Sequence, residues 1–226
     1  MRQFLAICAI VGLFMYTGFV LQNGVRATTA GAQRPEGTLV AAKTRGFTNL
    51  HTAMSAMGAE TDEALLVGWA EVNSPQARQS LEAALRWSGA VPANEVREAT
   101  VRNKDGRQVL TVRWLMKGKA ISDWEPRARA VKAALTGLGA SPHLTVQLSG
   151  QATVTDMADA ARKSLDAVGA YDRQPWGDEM AVSLAGRSER LPDSPYGINI
   201  QVALRKDPAA GTARTWVAWP ALLQEY

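Results

Sequence analysis

The stretch EVREATVRNKDGRQVLTVRWLMK, residues 95–117, reads as two strands joined by a tight turn. Asp105-Gly106 stands at its centre, where a two-residue hairpin needs a backbone that glycine adopts freely. Past the turn, Leu110, Val112, Trp114 and Met116 alternate with Thr111, Arg113 and Leu115, so one face is greasy and the other mixed. A hairpin with one apolar face needs a cover. That requirement sets the expected class, an antiparallel sheet with helices gathered on one side, α+β.

The flanks supply both layers. Leu65, Val67 and Trp69 alternate with Leu66, Gly68 and Ala70, which predicts a buried strand, with order beginning at Ala64. Asn73-Ser74-Pro75 follows as a cap and first-turn proline. Ala77, Leu81, Ala84, Leu85 and Trp87 then share a helical stripe that Gly89 ends. Ser122-Asp123 caps a second helix to Leu138, with Ala128, Val131, Leu135 and Leu138 inward and Arg127, Arg129 and Lys132 toward water.

The order then repeats. Leu144, Val146 and Leu148 mark a strand, and Thr155-Asp156 caps a helix through Leu165 and Val168 to Gly169. Strands follow at Met180–Gly186, Ile198–Arg205 and Thr212–Trp219. Gln79-Ser80-Leu81-Glu82-Ala83 echoes Lys163-Ser164-Leu165-Asp166-Ala167. The expected division is residues 61–140 and 141–226 as two α+β repeats, preceded by a lead-in at 33–60 in which Leu50–Met57 favours a short helix. Trp176, in Gln174-Pro175-Trp176-Gly177, reads as an exposed loop residue.

Residues 1–32 read differently. Phe4–Leu21 is an uncharged, mostly apolar run of eighteen residues behind Arg2, followed by the small residues Ala27, Ala30 and Ala32. This is the layout of a secretory signal peptide or a single N-terminal membrane anchor, and both remain open. Either places the rest of the chain outside the cytoplasm. Cys8, the single cysteine, lies inside that run, so the remainder carries neither a disulfide nor a thiolate-held metal. Arg2 and Arg26 are the charged residues before position 33, so the net charge of +4 drops to +2 beyond it. A balance so even, with the signs interleaved, gives no reason to expect a polyanion partner.

The ending carries a resemblance. Ile198-Asn199-Ile200-Gln201-Val202-Ala203-Leu204-Arg205, a glycine-containing turn, an alternating strand, Pro220 and Glu225-Tyr226 resemble the YwmB-like family of exported proteins. The resemblance implies a fold of the TATA-box-binding-protein type, two pseudo-symmetric halves sharing one curved antiparallel sheet. It supplies no catalytic residues. Trp219 and Ala221-Leu222-Leu223 are more apolar than that family's ending.

No cofactor, metal or catalytic constellation is expected. His51 and His143 are the two histidines, and no Gly-x-Ser-x-Gly elbow accompanies them. Glu95/Glu98, Asp156/Asp159 and Asp178/Glu179 are paired carboxylates of the kind glycoside cleavage needs, though Asp156 reads as a helix cap and Asp178/Glu179 as a loop. The expected role is therefore an extracytoplasmic, non-enzymatic module that binds an envelope protein or glycan. Its weak candidate contacts are Trp176, Asn199, Gln201, Gln147 and Arg113. A carboxylate-dependent cell-wall hydrolase is the alternative. A nucleic-acid binder comes third, because Phe47 is the one phenylalanine outside the apolar run and minor-groove saddles use such wedges.

Overall fold

The computed structural model describes residues 46–104 and 106–223; the apolar run Phe4–Leu21 and its flanks lie outside them. Among the described residues no helix is long and apolar enough to cross a membrane. The hairpin forms where its sequence places it: β2 (Glu95–Lys104) and β3 (Arg107–Lys117) pair antiparallel with Lys104 opposite Arg107, and Gly106 has φ +77°.

Before this hairpin come α1 (Thr48–Ala56), β1 (Glu60–Val72) and α2 (Ala77–Ala84). After it a 3-10 turn at Gly118–Asp123 leads into α3 (Trp124–Leu138), β4 (Ala140–Ala152) and α4 (Met157–Ala167). The antiparallel meander β5 (Tyr171–Gly177), β6 (Ala181–Arg187), β7 (Ile200–Asp207) and β8 (Thr212–Trp219) completes the fold. All eight strands join one antiparallel sheet in the order β2-β3-β1-β4-β8-β7-β6-β5.

The architecture is repeat-like. α1-β1-α2-β2-β3 is answered by α3-β4-α4-β7-β8, with the β5–β6 hairpin inserted, and the strands run outward from the β1/β4 seam in matching order. The helices cross over, α1 packing on α4 and α3 on α2. One core lies between helices and sheet. Leu66, Leu110, Met116, Val146, Val202 and Leu204 rise from the strands to meet Leu50, Met54, Leu81, Val131, Leu135 and Leu165. Each fully buried aliphatic side chain contributes roughly 1.5–3 kcal/mol. Gly68 lets α3 settle onto β1, since a Cβ there would stand 2.5 Å from Leu135 Cδ1.

Four local expectations are corrected. α2 stops short of Gly89: Arg86 takes φ +54° and the Trp87 N–H turns back to the Glu82 carbonyl at 2.8 Å. That early exit brings Trp87 edge-on to Trp114, with centroids 5.2 Å apart, and leaves Ala84 exposed. Arg127 turns from water onto the Trp114 ring, 4.9 Å from its centroid, because Glu95 lies beside it. Asp123 stands at the N-cap of α3 without a side-chain hydrogen bond and reaches Arg127 instead, at 3.6 Å. Finally, residues 171–177 are a strand and not a loop, so Trp176 sits on the sheet edge opposite Ser183.

Candidate binding face

The face away from the helices carries the chemistry left over from the core. On β1 it bears Leu65, Val67 and Trp69, opposite Leu115, Arg113 and Thr111 of β3. Ion pairs rim it: Glu63 with Lys117 at 3.2 Å, Glu71 with Arg107 at 3.0 Å and Glu98 with Arg113 at 3.8 Å. Surface pairs of this kind contribute at most about 1 kcal/mol each, and they leave little uncompensated charge.

The five expected contact residues have different fates. Asn199 is 2% exposed and fully engaged. Its Oδ1 accepts from the Ser188 N–H at 2.7 Å, and its Nδ2 donates to the carbonyls of Ser188 and Pro192 at 2.8 and 3.1 Å. It brackets the 188–199 loop and is buried away from any ligand, so the expectation is corrected. Gln147 is also buried: its Oε1 accepts from the Leu223 N–H at 3.3 Å. Gln201 Oε1 accepts from the Leu222 N–H at 3.0 Å while its Nε2 donates to Ser183 Oγ at 2.9 Å. Both glutamines hold the chain's own segment Pro220–Leu223, which folds back over the sheet.

Arg113 and Trp176 remain at the surface. Cross-strand pairing sets Trp176, Ser183, Ala203, Trp216 and Ser149 in one row across β5, β6, β7, β8 and β4. Trp176 and Trp216 thus stand in one row of the helix-free face with small residues between them. Trp176 is 67% exposed, the highest among the exposed large apolar side chains. Its strand is bulged between Tyr171 and Gln174 and contains Pro175, features that discourage strand-to-strand association at an edge.

A second group escaped the sequence reading. Trp69, in the strand expected to be buried, lies half-buried on the helix-free face with its ring stacked on His143, centroids 3.9 Å apart and planes at 16°. Tyr196 Oη lies 3.0 Å from His143 Nδ1. Burial holds the His143 pKa below its ordinary value and pushes Tyr196 up. Both rings are therefore neutral near pH 7. The cluster exists because β1 and β4 pair with Trp69 opposite His143, a contact that no local pattern announces.

The carboxylates are taken up structurally. Glu95 accepts hydrogen bonds from Arg127 at 2.5 Å, Arg97 at 2.8 Å and Trp114 Nε1 at 2.9 Å. Burial alone would raise its pKa; the bonds from Arg127, Trp114 and Arg97 outweigh that and hold it below the usual carboxylate range. Glu98 pairs with Arg113 on the other side of the same strand, so the two carboxylates do not converge. Asp156 caps α4 by accepting from the Asp159 N–H at 2.9 Å, and Asp159 pairs with Lys163 at 2.8 Å. Asp178 accepts from the Met180 and Ala181 N–H groups at 2.7 and 3.0 Å, which lowers its pKa. A cleft of about 640 Å³ lies beside these caps, walled by Asp156, Asp178, Glu179 and Lys206. Among the described residues no three His, Cys, Asp or Glu side chains are placed to hold a metal ion.

The class defined so far is an α+β protein with one helix-covered and one helix-free sheet face. No family model and no curated protein matches the chain. Similar solved structures include the regulatory subunit of aspartate kinase from Thermus flavus, at TM-score 0.26 and 13% identity over 72% of this chain and 85% of that one. The ligand-free counterpart from Thermus thermophilus stands at TM-score 0.25 and 12% identity with the same coverage. Likeness that weak says nothing about activity.

Proposed function

We propose that the chain is an extracytoplasmic, envelope-associated binding module that acts without catalysis and meets an envelope protein or glycan at its Trp176 edge. One observation carries this reading: a largely exposed tryptophan is held on a strand rather than a mobile loop. Ordered, exposed aromatic side chains are the usual anchors of protein and sugar contacts. The N-terminal apolar run, kept or cleaved, sets whether the module is anchored or secreted. The repeated order of strands and helices supports a two-fold arrangement of the TATA-box-binding-protein type and, with it, the resemblance to the YwmB-like family.

The hydrolase alternative is weakened because Glu95, Asp156 and Asp178 already satisfy backbone or arginine partners. Nucleic-acid binding is weakened by the acid–base pairs that rim the face.

The test compares recovery of cross-linked envelope components by the full chain, Trp176→Ala and Trp176→Phe. Losing an aromatic anchor costs about 2 kcal/mol, roughly 30-fold in affinity, and phenylalanine restores part of it. Equal recovery by all three refutes the reading.

A further inference from the structure

Gln201, Ala218 and Gln147 stand side by side on β7, β8 and β4. Strands are about 4.8 Å apart, so the two glutamine backbones are separated by roughly 9.6 Å. Their side chains nevertheless accept from Leu222 and Leu223, successive residues whose Cα atoms are about 3.8 Å apart. Both carboxamides must therefore lean inward over Ala218. Alanine leaves room for this, and it is fully buried beneath. The Leu222 N–H, which can only donate, sets the Gln201 amide with its oxygen toward the segment, and Ser183 Oγ accepts from the other end.

This is a built acceptor pair. Gln147 is 2% exposed, and the pair reads main-chain N–H groups rather than side chains. The segment that fills it is lightly held. Trp219 is anchored, its ring edge-on to Phe47 at 5.0 Å and its N–H donating to the Pro192 carbonyl at 2.8 Å. Beyond buried Pro220, Ala221, Leu222 and Leu223 are part-exposed, and among the described residues the two glutamine bonds are their hydrogen bonds to the sheet. β8, by contrast, is laddered on both sides.

We propose that the Gln201–Ala218–Gln147 row is a peptide-binding site, filled in cis by Ala221–Leu223 and taken in trans by a similarly bent apolar segment of a partner protein when the cis segment lifts. The occupant follows from the one already seated there: two successive main-chain N–H donors flanked by aliphatic side chains. The inference rests on the reading of the chain as a binding module, but it uses a different part of the face from Trp176.

The test uses the full chain carrying Leu222→Pro and Leu223→Pro, which removes both donors and leaves the acceptors intact. The probe is a labelled, N-acetylated peptide of residues 217–226, followed by fluorescence anisotropy. Saturable binding to the opened chain is expected, weakened about tenfold or more in the unsubstituted chain and when Gln147→Leu is added. No binding by an opened chain whose circular dichroism is unchanged overturns the proposal, as does binding indifferent to Gln147→Leu. Self-association of the unsubstituted chain that Gln147→Leu abolishes also overturns it, since the occupant would then be a second copy. Should the double variant not fold, hydrogen exchange on the unsubstituted chain decides. Leu222 and Leu223 amides exchanging about a hundredfold faster than Val217 supports independent lifting, and equal rates refute it. Undiminished Trp176-dependent capture alongside a failed peptide test would sink this proposal and leave the binding role standing.

Discussion

Replacing Glu95 by Gln removes a charge from the most heavily bonded carboxylate in the described structure while keeping its shape. The Glu95 side chain is 3% exposed, and its partners Arg97 and Arg127 are 15% and 22% exposed. A buried hydrogen bond to a charged group contributes about 1.5–3 kcal/mol. Gln keeps one acceptor oxygen; set where Oε2 lies it retains the Arg97 and Trp114 bonds without their charge, while the Arg127 bond to Oε1 is lost. Partial exposure of the arginines lets water recover some of that. The expected cost is about 2–4 kcal/mol, or roughly 5–15 °C in melting temperature for a unit of this size. Urea titration should show a lower midpoint with an unchanged slope. Because folding lowers the Glu95 pKa, the unfolded chain binds the proton more readily, and this stability is present above the ordinary value of 4.5 and drains away as pH falls below it. Glu95→Gln should therefore lose the part of the acid dependence that this residue supplies. Glu98→Gln, in a surface pair of 3.8 Å, should move stability by less than about 0.5 kcal/mol. A Glu95→Gln chain as stable as the unsubstituted one would refute a structural role for this carboxylate and reopen a chemical one.

Two further outcomes follow from geometry. Gly150→Ala would set a Cβ 2.0 Å from the Glu60 carbonyl oxygen at the β1/β4 irregularity, and should cost about 3 kcal/mol or more in a thermal melt. Gly137→Ala, in α3 with open space around it, should instead gain about 0.5–1 kcal/mol. His143 has a lowered folded pKa, so the unfolded chain takes up its proton first and stability declines as pH falls from about 6.5. His143→Phe, which can keep the stack on Trp69, should flatten that decline in urea midpoints measured from pH 7.5 to 5; an unchanged slope would show that other groups set it.

Legibility followed burial. β2, β3, β7 and β8 are read correctly because they bury one face, which imposes a period of two on residues such as Leu110–Val112–Trp114–Met116. α3 and α4 are legible through the same logic at helical spacing, and Asp156 acts as the cap its position suggests. β5 leaves no such signature: nearly every residue from Tyr171 to Gly177 is exposed, and its pairing with β6 is what makes it a strand. Trp176 was correctly singled out as exposed, but its setting was not legible. Asn199 misled because the alternating pattern extends the strand back to Ile198, whereas β7 begins at Ile200 and Asn199 just before it clamps the 188–199 loop.

The class of fold, the placement of the hairpin and the inward-facing stripes belong to the sequence itself, since covalent periodicity and the cost of exposing apolar surface act over a few neighbouring residues. Which polar groups stay available was decided only in three dimensions. Gln147 and Gln201 lie 54 positions apart in the numbering and meet one folded-back segment, Trp69 reaches His143 through the β1/β4 seam, and Glu95 finds Arg127 across the sheet–helix boundary. Hydrogen-bond capacity is finite, and whether a side chain has spent it on its own fold depends on contacts between residues that are distant along the chain.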